Sequence, residues 1–166
     1  MRAGISKALL ALAISWSSVG HAAAALRPKS ASQEVHFSDH DLTGQWIAKK
    51  LLGNGVAEDD DAAAGGSTLW TAWVRVSDRK APDLFVMYGC SPTGNCGLYG
   101  FEHARSGWRQ VLNSLAQKCS IFATSHGGRR DIAAYMHGSA TEGILKVYWW
   151  RGSRYVRVSE RGVAFQ

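Results

Sequence analysis

The sequence predicts an α+β fold, mostly antiparallel β-sheet with about seven strands and one N-terminal helix. Three observations lead there. One stretch, residues 42–52, repeats its apolar residues at helical spacing. From Thr68 onward, short runs rich in aromatic and β-branched residues alternate with glycine-containing turns. Near the end, residues 144–150 and 154–158 flank Arg151-Gly152-Ser153, the clearest hairpin pattern in the chain.

The N-terminus reads as a cleaved leader. Arg2 and Lys7 are followed by an apolar run over residues 8–14 and by small residues at Gly20-His21-Ala22 and Ala22-Ala23-Ala24, the three-part pattern of a secretory signal over residues 1–24. The run falls short of the roughly 20 residues a spanning helix needs, and no other segment is long and apolar enough to cross a bilayer. Residues 26–33 are polar and contain Pro28, and residues 25–38 are expected to form a flexible arm. Residues 39–166 are then a single mostly-β domain. Without the leader roughly 140 residues remain, enough for a real core. Losing Arg2 and Lys7 takes the formal charge from +6 to about +4. The expected location is the periplasm or the outside of the cell.

Leu42, Trp46, Ile47 and Leu51 mark the apolar stripe of the helix, with Asp41 as its cap and Gly53-Asn54-Gly55 as its end. Residues 56–67 form an acidic, Ala/Gly-rich loop, expected to be mobile. Strand character then appears at 69–76, at 84–88 (short, apolar and central), at 98–103 as its antiparallel partner, at 108–112, 121–124 and 132–136, and in the terminal hairpin.

Three cysteines, Cys90, Cys96 and Cys119, follow the leader. After export they are disulfide candidates first. Cys90 and Cys96 bracket the turn-rich Ser91-Pro92-Thr93-Gly94-Asn95 and are read as the pair. Cys119 is then buried, free, or the true partner of one of them.

No complete catalytic or metal-binding set is present, and no cofactor or metal is expected. Cys119, His126 and Asp131 hold the residue types of a thiol site, but a reactive thiolate needs an adjacent base. Ser125 lacks a nucleophile elbow. Asp131 is expected to accept hydrogen bonds from the preceding turn. His36, Asp39, His40 and Asp41 read as solvated residues and a cap. Glu58 to Asp61 lacks the spaced ligands of a calcium loop.

The charge is uneven: from Arg105 onward the acids are Asp131, Glu142 and Glu160 against ten Lys or Arg. The terminal hairpin mixes cations and aromatics. Strand alternation puts Lys146, Tyr148 and Trp150 on one face and Val147 and Trp149 on the other. Tyr148, Trp150 and Arg154 are candidates to bind a glycan or an anionic lipid. Export argues against nucleic acid.

Two resemblances follow. The strand running into Gly89-Cys90-Ser91-Pro92-Thr93-Gly94-Asn95-Cys96, then Gly107-Trp108-Arg109, the turn Ser125-His126-Gly127-Gly128-Arg129-Arg130-Asp131 and the terminal Arg151-Gly152-Ser153-Arg154-Tyr155 together resemble a family of small secreted bacterial proteins of unknown function. The order of helix, strand and Cys-closed loop between two strands is also similar to that of Ivy-type periplasmic inhibitors of vertebrate lysozyme. That likeness implies a non-enzymatic binding or inhibitor protein that presents Ser91, Pro92, Thr93, Gly94 and Asn95 to a protein partner, a lysozyme-like hydrolase among the candidates. In the Ivy family the loop carries a histidine; here it has Thr93 and Asn95 and no histidine.

Overall fold

The computed structural model describes residues 32–53 and 68–164. In chain order they form β1 (Ser32–Glu34), α1 (Leu42–Leu52), β2 (Trp70–Val74), β3 (Asp83–Tyr88), β4 (Cys96–Ala104), β5 (Gly107–Ala116), β6 (Lys118–His126), β7 (Arg129–His137), β8 (Glu142–Arg151) and β9 (Arg154–Ala164). The expected leader, the start of the expected arm and the acidic loop lie outside the described residues.

Mostly antiparallel sheet with one helix is what the described residues form, but with nine strands rather than about seven. They make a four-stranded sheet in the order β2-β3-β4-β5 and a five-stranded sheet in the order β1-β6-β7-β8-β9. The added strand is β1. The arm expected over residues 25–38 is, from Ser32 on, an edge strand paired with β6, Gln33 opposite Ile121. Ser38 then bridges to Thr71, so this segment ties one sheet to the other. Polar residues suit it because an edge strand exposes most of its side chains.

The four-stranded sheet is covered on both faces, which explains the unbroken apolar run of β3. Phe85 and Met87 pack with Leu98 and Leu112 against Ile121, Ile132, Ala134, Tyr148 and Trp150 of the other sheet. Leu84, Val86 and Phe101 pack against Ala48, Ile47 and Leu51 of α1. Three layers result: helix, four-stranded sheet, five-stranded sheet.

Helix α1 begins where expected. Asp41 accepts from the Gly44 amide at 3.0 Å, and its other oxygen accepts from Trp73 Nε1 at 2.8 Å and Thr71 Oγ1 at 3.2 Å. One carboxylate thus caps the helix and pins it to β2. A Cβ on Gly44 would lie 2.3 Å from Asp41 Oδ2, so only glycine lets the helix sit this close. The buried stripe differs from the expected one: Leu42 and Trp46 are 78% and 59% exposed, while Gly44 and Ala48 are buried. Small residues approach the sheet more closely than large ones, so the helix turns them inward. Lys50 Nζ lies 3.6 Å from the Trp46 ring centroid.

Antiparallel pairing sorts the connections between two ends of the sandwich. One end carries the β3–β4, β5–β6 and β7–β8 connections, with the cysteine loop. The other carries β2–β3, β4–β5, β6–β7 and β8–β9.

Candidate functional site: a stapled loop, an edge cleft and a charged end

Cys90 and Cys96 form the disulfide, and Cys119 is free and buried. Inside the loop, the Ser91 amide donates to Asn95 O and the Gly94 amide to Ser91 O, both at 2.8 Å. Gly94 has φ +81°, which a residue with a Cβ rarely adopts. The Asn95 side chain donates to His137 O and accepts from the His137 amide, both at 2.8 Å. Of the five predicted loop residues, Ser91, Pro92 and Thr93 are exposed, whereas Gly94 and Asn95 are half-buried and Asn95 anchors the loop to the end of β7. Beside the disulfide is a pocket of about 580 Å³ lined by Phe37, Trp70, Met87 and Gln117.

The predicted hairpin residues separate. Strands β5 and β9 are the edges of their sheets, and between them opens a cleft of about 640 Å³ lined by Gln110, Ser114, Lys146, Tyr148, Arg154 and Arg157, among others. Tyr148 and Arg154 thus share a site; Tyr148 is largely buried and its hydroxyl is 2.7 Å from Ser114 Oγ. Trp150 does not join them. It is a core side chain, 6% exposed, with its face under Arg129 at 3.9 Å and its edge against Tyr155. The solvent-side ring of β8 is Trp149, stacked on His126 at 3.7 Å between centroids. The alternation was right, but the face holding Tyr148 and Trp150 is the one the core takes.

The end opposite the loop holds a cluster that the sequence reading passed over. Asp83, Glu102 and Arg129 are all buried. Arg129 donates through Nη1 to Asp83 Oδ2 at 2.8 Å and through Nη2 to Glu102 Oε2. Glu102, 1% exposed, also accepts from Arg79 Nη1 at 3.0 Å and from Arg109 Nε. Burial raises the Asp83 carboxyl above its ordinary value, against the pull of Arg129 and Arg79. Burial raises the Tyr155 phenol as well. These residues gave little signal in the sequence: Asp83 sits at a strand start that reads as turn, and Glu102 sits in a strand where a lone carboxylate ordinarily faces water.

Beside this cluster, buried Asp131 accepts from Thr124 Oγ1 at 2.6 Å and from His126 Nδ1 at 2.8 Å, not from the turn backbone as expected. The turn between β6 and β7 is Gly127-Gly128, both at positive φ. A Cβ on Gly127 would meet Trp150 O at 2.9 Å. Cys119 stays apart from this pair. It lies seven residues from His126 along β6, roughly 20 Å at the usual rise per residue. Burial also pushes its thiol up to about 12, so the thiolate is disfavoured.

Among the described residues, no group of three or more His, Cys, Asp or Glu is placed to hold a metal ion, and no helix is long and apolar enough to cross a membrane. Compared with protein-family models, with curated proteins and with solved structures, the chain matches none.

Proposed function

We propose that this chain is a non-enzymatic binding or inhibitor protein of the periplasm that presents the Cys90–Cys96 loop to a protein partner. One observation carries the reading: the loop is fixed from three sides before any partner arrives. The disulfide closes its neck, two backbone hydrogen bonds set its turn, and Asn95 ties it to His137. A flexible loop loses about 0.5–1.5 kcal/mol per side chain ordered on binding, and a preformed one avoids much of that loss. Ser91, Pro92 and Thr93 are left facing water at the tip. The likeness to Ivy-type inhibitors makes lysozymes the first partners to try, although the tip offers hydroxyls where that family offers a histidine.

The test is inhibition of a panel of lysozymes by the exported protein. Stoichiometric inhibition should be lost in Cys90→Ser/Cys96→Ser and weakened about tenfold in Asn95→Ala, which frees the anchor. A panel untouched by folded protein would sink the lysozyme version. Inhibition retained in the double serine variant would sink the loop itself.

The cleft between β5 and β9 favours a second reading. Lys146, Arg154 and Arg157 line it and no carboxylate does, which suits a glycan or an anionic lipid of the envelope. Such binding should weaken with salt and with Arg154→Gln, and should leave loop-dependent inhibition unchanged.

A further inference from the structure

We propose that Arg79 and Arg109, both bound to the buried Glu102 carboxylate, form a binding site for a phosphoryl group. The reasoning starts from charge balance. Arg129 reaches both buried acids, one nitrogen on Asp83 Oδ2 and one on Glu102 Oε2, and Arg109 supplies Glu102 Oε1. Two guanidinium groups then balance two carboxylates, and both Glu102 oxygens have a donor. A third guanidinium, that of Arg79, nevertheless joins Arg129 on Oε2. Three cations then face two carboxylates, and the surplus sits where solvent reaches. The Arg79 and Arg109 side chains are 49% and 44% exposed, against 1% for Glu102.

Each of these two arginines gives one N–H to Glu102, and the rest of each fork makes no other hydrogen bond among the described residues. A guanidinium presents its donors in a plane that matches phosphate oxygens two at a time. Two such forks with one edge fixed by a shared carboxylate are already oriented, so an anion need not order them. The flanking turns add field of the same sign. Arg75, Lys80, Arg105, Arg130 and Arg151 are exposed in the connections and strand ends at this end of the sandwich, with Asp78 as the exposed acid of the β2–β3 connection. A phosphoryl group suits this better than a carboxylate, because it brings more charge and more acceptor oxygens. It can come from a free phosphorylated compound or from a lipid headgroup.

The test uses the exported full chain with pyrophosphate as the probe, followed by calorimetric titration at low salt. Saturable binding is expected, and Arg79→Gln and Arg109→Gln should each lower affinity about tenfold or more, the loss of one charge-assisted fork. Arg79→Gln leaves both Glu102 oxygens with a guanidinium donor, Arg109→Gln leaves Arg79 and Arg129 on Oε2, and the folding of each variant is checked by thermal melt. Arg79→Lys keeps the charge and loses the fork; its affinity should also fall. Sedimentation with phosphatidylglycerol vesicles but not with phosphatidylcholine vesicles, lost in both Gln variants, identifies the source as a lipid headgroup even where free pyrophosphate binds weakly. Absence of both pyrophosphate and vesicle binding overturns the proposal. So does binding that both Gln variants retain, or binding that Arg154→Gln in the cleft removes while they do not.

Discussion

The two ends of this sandwich hold their surface groups in place by different physics. At the loop end, a disulfide and neutral amide hydrogen bonds fix Ser91, Pro92 and Thr93. At the other end, buried Asp83 and Glu102 fix Arg129, Arg79 and Arg109. The covalent end should tolerate salt and pH and yield to reductant. The charged end should ignore reductant and respond to any change that leaves one of its charges without a partner. A buried ion pair contributes little net stability against a well-packed apolar substitute, but removing one partner alone is costly. The charged end is therefore the more brittle of the two.

The largest effect follows from that asymmetry. Arg129→Met leaves Asp83 buried without its hydrogen-bond partner and should cost about 3–5 kcal/mol, lowering Tm by roughly 10–20 °C for a domain of this size. Arg129→Met/Asp83→Leu removes both charges, keeps Glu102 paired with Arg79 and Arg109, and should recover much of the loss. A double variant as unstable as the single would mean that the lost Trp150 stacking, not the stranded carboxylate, is what matters.

Cys90→Ser/Cys96→Ser comes next. The cysteines are only six positions apart, and closing so short a loop stabilises by about 2 kcal/mol in the chain-entropy picture. The melt should fall by a smaller amount than for Arg129→Met, and wild-type protein in reductant should match it. If reductant lowers Tm as much as Arg129→Met does, the two ends are equally dependent on their fixings and the contrast fails.

What the sequence revealed, and what it did not, follows the same division. The loop end was legible because its chemistry is local: two cysteines, a proline and a glycine within seven residues define a stapled turn. The hairpin of β8 and β9 was legible for the same reason. Helix α1 was placed correctly by Asp41 and Gly53, and Ile47 and Leu51 do face the sheet; Leu42 and Trp46 do not, and Gly44 and Ala48, which take their place, carry no hydrophobic signal. β1 was missed because an edge strand of polar residues has no alternation to detect. The charged end was illegible because Asp83, Glu102 and Arg129 lie on three strands of two sheets. Each looks like an ordinary surface charge until the sheets stack. Trp150 and Trp149 differ by one position, and the fold separates them: Trp150 lies opposite buried Tyr155 of β9 and Trp149 opposite exposed Val156.

The pH response of Asp83 sharpens the comparison further. Desolvation raises its carboxyl above the ordinary 3.8, with Arg129 and Arg79 pulling the other way. A group with a raised folded-state value contributes its stability below the unfolded value and loses it as pH rises through the folded one. Relative to Asp83→Asn, wild-type protein should therefore lose stability as pH rises from about 4, read as the difference in denaturant midpoints. A wild type that gains on the variant over that window would show attraction to the guanidinium groups outweighing burial, and the charged end would then be held by net attraction.

The smallest effect concerns Cys119, which takes part in neither set of fixings. It packs between the sheets with Ile121 and Ile132, its carbonyl accepts from the Val35 amide at 2.9 Å, and burial pushes its thiol up to about 12. Almost no thiolate is present at neutral pH, so a thiol reagent should not react with folded protein. Cys119→Ala should cost about 1 kcal/mol for the small space it leaves. Unfolding without reductant should release one reactive thiol per chain. Rapid labelling of the folded protein would mean that β1, only three residues long, peels from β6 and opens this edge. Three thiols on unfolding would mean that the staple between Cys90 and Cys96 had not formed, and the loop end would have lost the covalent bond that sets it apart from the charged end.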